Sequence, residues 1–303
     1  MKIFIIKIIL LCLLCVGMDY AYGQLGTYLL DHAISGQSEK NKYICDRTSE
    51  EILIMGSSRA VHHYDPTIIE DSLGMSCYNC GYDGCGSITA YGLLQMITKR
   101  YSPRLILYEV TPEFDYLMTE KDNTKYLGPL KLFYDRDGID SIFIKVDHME
   151  QYKMRSMMYR MNSRLMVLFS ENYMKRNETI KGYLPKNDVM KYEPVNNEED
   201  NLIEYDSLKM ECLNRIIELC KSKRIELAFY VSPCFRKSNT SKYDYVEELA
   251  KKYGLPFMNY CCDTFFIGKR DLFYDAVHLN SVGATMYTNK SISKMKAELK
   301  NIN

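Results

Sequence analysis

The chain has no tryptophan and no excess of charge of either sign: 39 Lys and Arg stand against 39 Asp and Glu, for a formal net charge of zero over 303 residues. The missing positive balance removes the electrostatic footprint on which sequence-independent nucleic-acid binding depends, so nucleic acid is not expected as a partner. No internal repeat and no low-complexity tract is present, which excludes solenoid and array architectures. What is there is ordinary for a globular chain: 47% hydrophobic residues, 12% aromatic and 26% charged, neither a disordered tail, a collagen nor a multi-pass transporter. The 26 Tyr and 18 Met are background. The length fits one decorated domain or two small ones, and one is the preferred reading.

Long apolar runs are confined to the start. Met1 to Gly23 reads MKIFIIKIILLCLLCVGMDYAYG, with Lys2 and Lys7 near the beginning, an apolar run, then Asp19 and small residues ending in Ala21 and Gly23. That is the grammar of an export signal. Ile3 to Met18 is sixteen residues, about 24 Å as a helix and shorter than a hydrocarbon core of about 30 Å. Both a cleaved signal peptide and an uncleaved anchor fit. In either case Lys2 and Lys7 stay on the cytoplasmic side, and the rest of the chain is expected to be extracytoplasmic, secreted or anchored. Cys15 lacks the small residues that precede a lipidated cysteine, and no lipid is expected there.

Of eleven cysteines, Cys12 and Cys15 lie in the export segment and nine in the body. Cys77, Cys80 and Cys85 cluster as C-x2-C-x4-C, a spacing that raises either a disulfide or a metal site in an exported protein. No second C-x2-C or H-x3-H pair completes a tetrahedron. Small buried hydrophobes is therefore the reading for most of the nine, and neither a metal nor a cofactor is expected.

Residues 24–49 read as a connector, polar and mixed over Leu25 to Lys42 with one short helical-looking patch, and the organised body as 50–303. The body alternates short apolar runs with segments of helical period. The runs are Ile52 to Met55, Met75 to Tyr78, Leu105 to Val110, Glu226 to Val231 and Pro256 to Asn259. The helical segments are Pro66 to Leu73, Ile88 to Lys99, Ser207 to Lys221, Lys242 to Tyr253 and Ser281 to Leu299. Near-continuous apolar strands between helices are what a parallel sheet buried on both faces requires, so the fold class expected is doubly wound α/β. The rhythm breaks between about 114 and 205, after the third strand, which reads as a large insertion. It holds an amphipathic-looking stretch, Met149 to Tyr173, and a loop, Tyr183 to Asn201, with the run Asn196 to Asp200. Such an insertion serves either as a lid over a site or as a helical cap that only stabilises.

Ligand sites of open parallel sheets lie beyond the carboxyl ends of the strands, and three places there carry chemistry. Ile52 to Met55 runs into Gly56-Ser57-Ser58-Arg59, a glycine turn that delivers two hydroxyls to the start of a helix; the plain alternative is a turn with an N-cap. Asn79-Cys80-Gly81-Tyr82-Asp83-Gly84-Cys85-Gly86 supplies three glycines whose N–H groups can approach a ligand closely. It echoes a G-x-x-G phosphate loop only superficially, since neither a G-x-G-x-x-G nor a Walker lysine accompanies it, and a phosphate or nucleotide binder is the least favoured class. Near the end, Asp275 precedes His278 by three residues and can reach its Nδ1, leaving Nε2 to take a proton from a nucleophile. His62, His63 and His148 have no acid at comparable spacing and read as incidental.

A strand ending in Gly-x-Ser, a glycine loop of form N-x-G-x-x-G and a late D-x-x-H together resemble the SGNH (GDSL-like) hydrolase superfamily over roughly Glu51 to Lys296. The resemblance implies a flavodoxin-like three-layer α/β/α fold with a parallel central sheet. It implies Ser58 as nucleophile, His278 as base and Asp275 as its orienting acid, with the N–H groups of Ser58 and Gly84 forming the oxyanion hole. The Asn that the superfamily places after its third strand is missing from Val110-Thr111-Pro112-Glu113-Phe114-Asp115, so either Asn79 or another donor compensates or activity is weak or specialised. Gly56-Ser57-Ser58-Arg59 is similar to the membrane-tethered extracytoplasmic branch that includes the D-alanine transfer protein and alginate-type O-acetylation proteins. That branch implies acyl chemistry on cell-envelope or extracellular polysaccharide, with an acylated carbohydrate as substrate and often a membrane-bound O-acyltransferase as partner. The competing expectation is a non-catalytic envelope protein that keeps the fold and binds a glycan or such a partner.

Overall fold

The computed structural model describes residues 1–161, 164–175, 179–194, 203–237 and 239–300; the run Asn196 to Asp200 lies outside them. Five strands form one sheet: β1 Ile52–Gly56, β2 Cys77–Asn79, β3 Leu105–Glu109, β4 Glu226–Val231 and β5 Phe257–Asn259. The helices are α1 Lys2–Asp31, α2 Gly36–Asp46, α3 Ser58–His63, α4 Pro66–Leu73, α5 Ser87–Thr98, α6 Pro112–Asp115, α7 Ile139–Val146, α8 Glu150–Lys153, α9 Met157–Arg160, α10 Arg164–Tyr173, α11 Ser207–Lys223, α12 Asp244–Tyr253 and α13 Ser281–Lys300. Two compact units result, one of residues 1–43 with 127–178 and one of residues 44–126 with 179–303.

The larger unit is a three-layer α/β/α fold around an all-parallel sheet of order β2-β1-β3-β4-β5. That is the doubly wound flavodoxin-like order, whose switch point falls between β1 and β3. β1 and β3 are buried at every position, as a sheet covered on both faces demands. Side chains of β1, β3 and β4 pack with Ile69, Ala284, Tyr287, Ile292 and Met295 of the flanking helices.

Local chemistry sets the boundaries. Asp65 caps α4 by accepting the Thr67 N–H at 2.9 Å, with Pro66 in the first turn, and Gly74 ends it at φ 68°; this is the pairing of acid cap, early proline and left-handed glycine that fixes both ends of a helix. Asp206 caps α11 through the N–H groups of Leu208 and Lys209, and Gly254 ends α12 at φ 66°. α4 therefore covers the expected residues, while α5 and α12 are shifted by one or two.

In the smaller unit the segment after Gly23, read as a connector with one short helical-looking patch, is helical over most of its length. α1 runs unbroken to Asp31 and α2 follows from Gly36. α1 is long and apolar enough to cross a membrane by length and composition, and the apolar half is exposed. Its second half is folded into the unit: Leu29 and Leu30 bury against Leu168 of α10, and Asn172 donates to the Leu29 carbonyl at 2.7 Å.

Candidate functional site

β1 ends at Gly56, whose φ of 136° lies where side chains are strained and whose absent Cβ leaves room for the Glu109 carbonyl and for the Ala60 methyl, 3.2 Å from where a Cβ would stand. Only glycine makes this turn without displacing β3. The chain enters α3 at Ser58, so the Ser58 N–H is among the unpaired donors at that helix start. Ser57 does not cap the helix. Its hydroxyl instead meets the Thr111 hydroxyl at 2.7 Å, tying the serine turn to the loop after β3.

The structure brings Ser58, His278 and Asp275 together across 220 positions of sequence. Ser58 Oγ lies 2.8 Å from His278 Nε2. His278 Nδ1 lies 2.8 and 3.0 Å from the two Asp275 oxygens. Asp275 can only accept as a carboxylate, so Nδ1 carries the proton and Nε2 presents a lone pair to the Ser58 hydroxyl. The N–H groups of Val277 and His278 also donate to Asp275 Oδ1, at 2.9 and 2.8 Å. Burial works to raise the Asp275 carboxyl, but the His278 hydrogen bond and charge and these two amides outweigh it and hold the group below its ordinary value. The turn that carries the pair is closed by the Phe273–Leu279 bridge and by the Tyr274 N–H on the His278 carbonyl, 2.9 Å.

The glycine loop after β2 is laced to the serine turn: the Tyr82 N–H donates to Gly56 O at 3.0 Å, and the Cys80 N–H to Ile54 O at 2.8 Å. Gly84 sits exposed at φ 66° with open space around the position of a Cβ. The Asn79 side chain is taken up by backbone partners. Its two amide hydrogens are given to the carbonyls of Ala60 (2.6 Å) and Tyr64 (3.2 Å), and its Oδ1 accepts the Gly81 N–H at 3.0 Å. The side chain shapes the two loops and keeps no donor for a ligand.

Cys77, Cys80 and Cys85 are buried. Burial is the largest influence on Cys77 and Cys85, and it pushes the first thiol well up and the second up to about 11. Among the described residues no group of three or more His, Cys, Asp or Glu could hold a metal ion.

The histidines that read as incidental line the back of the site. The His62 and His63 rings stand edge-on to His278, with centroids 5.6 and 6.0 Å away. His62 donates from Nδ1 to the Leu184 carbonyl at 2.7 Å, and its Nε2 is 3.1 Å from Asp83 of the glycine loop. His148 is in the smaller unit.

Behind them lies a buried polar network that sequence reasoning did not find. Glu109, at the end of β3, forms an ion pair with Arg59 at 3.1 Å. It also accepts the Ser232 hydroxyl (2.7 Å) and N–H (3.0 Å) and the Tyr64 hydroxyl, which in turn meets Tyr287 at 3.0 Å. Burial lifts the Glu109 carboxyl above its ordinary value despite Arg59 and these hydrogen bonds. Burial alone would lower Arg59, yet Glu109 beside it holds the guanidinium well above its usual range. The legible signal was Glu109 itself, a carboxylate in the otherwise uncharged strand LILYE, since a charge buried in a central strand requires a buried partner.

No family model matches the chain and no curated protein matches it. Among solved structures it is similar to one from Streptococcus pneumonia provisionally described as a platelet activating factor, at 12% identity, covering 91% of this chain and 98% of that chain with a TM-score of 0.44. At that distance the likeness assigns no chemistry to this chain.

Proposed function

We propose that the protein is a serine-dependent esterase or O-acyltransferase acting on acyl groups of cell-envelope or extracellular polysaccharide through an acyl-serine intermediate. The observation that carries the reading is the contact of Ser58 Oγ with His278 Nε2 at 2.8 Å, with His278 held from behind by Asp275. A hydroxyl, a base of the right tautomer and an orienting carboxylate within hydrogen-bond reach of one another are what nucleophilic acyl transfer needs.

In the proposed reaction the Ser58 oxygen attacks an acyl carbonyl as its proton passes to His278 Nε2, and Asp275 stabilises the imidazolium. The Ser58 and Gly84 N–H groups hold the oxyanion. Collapse of the tetrahedral intermediate breaks the ester bond, and the leaving alcohol takes the proton from Nε2. His278 then removes a proton from water or from a sugar hydroxyl, which displaces the acyl group and regenerates Ser58. Water gives an esterase; a glycan hydroxyl gives an O-acyltransferase. The resemblance of the GSSR turn, the glycine loop and the D-x-x-H to the SGNH superfamily supports this chemistry. Its similarity to the membrane-tethered branch, together with the apolar α1, supports placement on the extracytoplasmic face with α1 as an anchor and a membrane-bound O-acyltransferase as partner.

The loop after β3 favours a second reading, a glycan- or partner-binding protein of the same fold, because it offers a Thr111 hydroxyl already bonded to Ser57 where a further oxyanion donor would be needed. A fluorophosphonate probe with intact-mass detection on the full chain in detergent separates the two. A single adduct on the wild type, abolished in Ser58→Ala and in His278→Ala, is expected of the enzyme. A folded wild type that takes no label returns the protein to the binding reading.

A further inference from the structure

We propose that the exposed row Met149, Tyr152, Arg155 and Met158, in and around α8 and α9, rests in the headgroup layer of the bilayer that α1 spans; the inference relies on the anchored reading of α1.

The level of Met158, the last residue of the row, is fixed by hydrogen bonds within the smaller unit. Asp19 is the first acid after the apolar run Ile3 to Met18. Its carboxylate caps the start of α9, accepting the Ser156 hydroxyl at 2.6 Å and the N–H groups of Met157 and Met158 at 2.9 Å each. The backbone of Met158 is therefore within one hydrogen bond of the point at which α1 stops being apolar. Above that point α9 climbs along α1. A Cβ on Gly23 would stand 2.8 Å from the Met157 Cβ, and one on Gly26 would overlap the Met161 sulfur. These two glycines let α9 lie directly against α1, so its height on α1 is set by packing and not by a loose tether.

The composition of the row fits that level. Met149, Tyr152 and Met158 are 54, 49 and 46% exposed although apolar, and Arg155 is exposed with its guanidinium 5.4 Å from the Tyr152 ring. Tyr at the interface with a long cation reaching for phosphate is the pattern of membrane-facing surfaces. In a chain without tryptophan, tyrosine is the aromatic with a polar tip left for this place. The apolar run gives about 24 Å of helix against a hydrocarbon core of about 30 Å, and a short span draws its flanking turn toward the bilayer. The flanking turn here is Asp19 with α9 attached. Met154, between the exposed positions, is buried inside the unit, so the row is one face of a folded segment and not a generally apolar stretch.

The absence of tryptophan makes the test direct, because one introduced Trp is the only indole in the molecule. Full-length Leu10→Trp, Met158→Trp and Tyr152→Trp are each reconstituted into phosphatidylcholine/phosphatidylglycerol vesicles. Quenching is read with lipids carrying a nitroxide near the headgroup or deep in the chain, and with aqueous iodide. Leu10→Trp reports the anchor itself and is expected to be quenched by the deep nitroxide. Met158→Trp and Tyr152→Trp are expected to shift to shorter wavelength on reconstitution, to lose emission to the shallow nitroxide and to resist iodide. Quenching at Leu10→Trp with none by nitroxide at either row position, whether iodide reaches them or a second copy of the chain shields them, overturns the proposal while leaving the anchor intact. No quenching at Leu10→Trp overturns the anchored reading, and the proposal with it.

Discussion

The backbone N–H of Leu279 donates to Nε2 of His63 at 3.0 Å, so the residue next to His278 is held by a second imidazole. That bond defines the His63 tautomer: Nε2 accepts, and Nδ1 donates to the Ser232 hydroxyl at 2.6 Å. Ser232 Oγ also accepts from Arg59 Nε at 3.0 Å and passes its own hydrogen to Glu109 at 2.7 Å. The hydroxyl thus uses both lone pairs and its proton, and a continuous buried chain leads from the strand-end carboxylate to the turn bearing His278.

Burial, then the charges of Arg59 and the neighbouring imidazoles, hold His63 well below its ordinary value of about 6.5, hence neutral in the folded protein. The unfolded chain takes up that proton as pH falls through about 6.5 and the folded one does not, so stability is lost on acidification, by at most about 1.4 kcal/mol per pH unit. The unfolding midpoint of the wild type is expected to fall more steeply between about pH 7 and pH 5 than that of His63→Gln. Parallel curves would remove His63 as the source.

For Asp275→Asn the expectation is a large loss of turnover with little change in stability. An amide would donate toward His278 Nδ1, push the ring proton to Nε2 and leave no lone pair for the Ser58 hydroxyl. Ester hydrolysis should drop on the order of 1000- to 10,000-fold, and Ser58→Ala should remove the fluorophosphonate adduct altogether. Asp275→Asn with near-wild-type hydrolysis and a normal melting curve would show that the carboxylate does not set the tautomer.

Arg59 and Glu109 are expected to behave as a unit. Arg59→Met leaves the Glu109 charge buried without its cation, a loss of about 3–5 kcal/mol. Adding Glu109→Gln to that variant removes the stranded charge, and the double variant should be the more stable of the two in urea unfolding. Additive losses would mean that the pair does not compensate each other's burial.

Asp115 supplies the opposite pH slope to His63. It is buried, accepts the Thr111 N–H at 2.6 Å and the Tyr108 hydroxyl at 2.7 Å, and burial carries its carboxyl up to about 7 against those bonds. The stability it contributes is fully present below the ordinary carboxyl value of about 3.9 and is lost as pH rises toward about 7, because the unfolded chain releases the proton first. Asp115→Asn should flatten that part of the stability curve. An unchanged slope would show that Asp115 is already ionised in the folded protein.

The strands were legible because each is a short apolar run between turn residues, and α4 because Asp65, Pro66 and Gly74 mark its ends locally. Gly56, Ser58, Asp275 and His278 stood out only in combination, through the resemblance of the serine turn and the late D-x-x-H to one superfamily, since each motif alone reads as ordinary turn chemistry. Other features were not legible. The full length of α1 was not, because Leu168 and Asn172, which hold its Leu29 and Leu30, come more than a hundred positions later. Asn79 looked like a donor to a ligand because its offset from Gly81 is local, whereas Ala60 and Tyr64, which take its amide hydrogens, lie on another element.

By itself the sequence determined the doubly wound alternation and the apolar run of the first residues, since periodicity and turn chemistry are properties of near neighbours. The tertiary structure brings Ser58 to His278 across 220 positions, and it alone decided that Tyr64 links Glu109 to Tyr287 over separations of 45 and 223. It also decided that α9 is capped by Asp19, 137 positions before Ser156. Each of these is a polar group removed from water that must find a partner wherever packing brings one, and spacing along the chain carries no record of that choice.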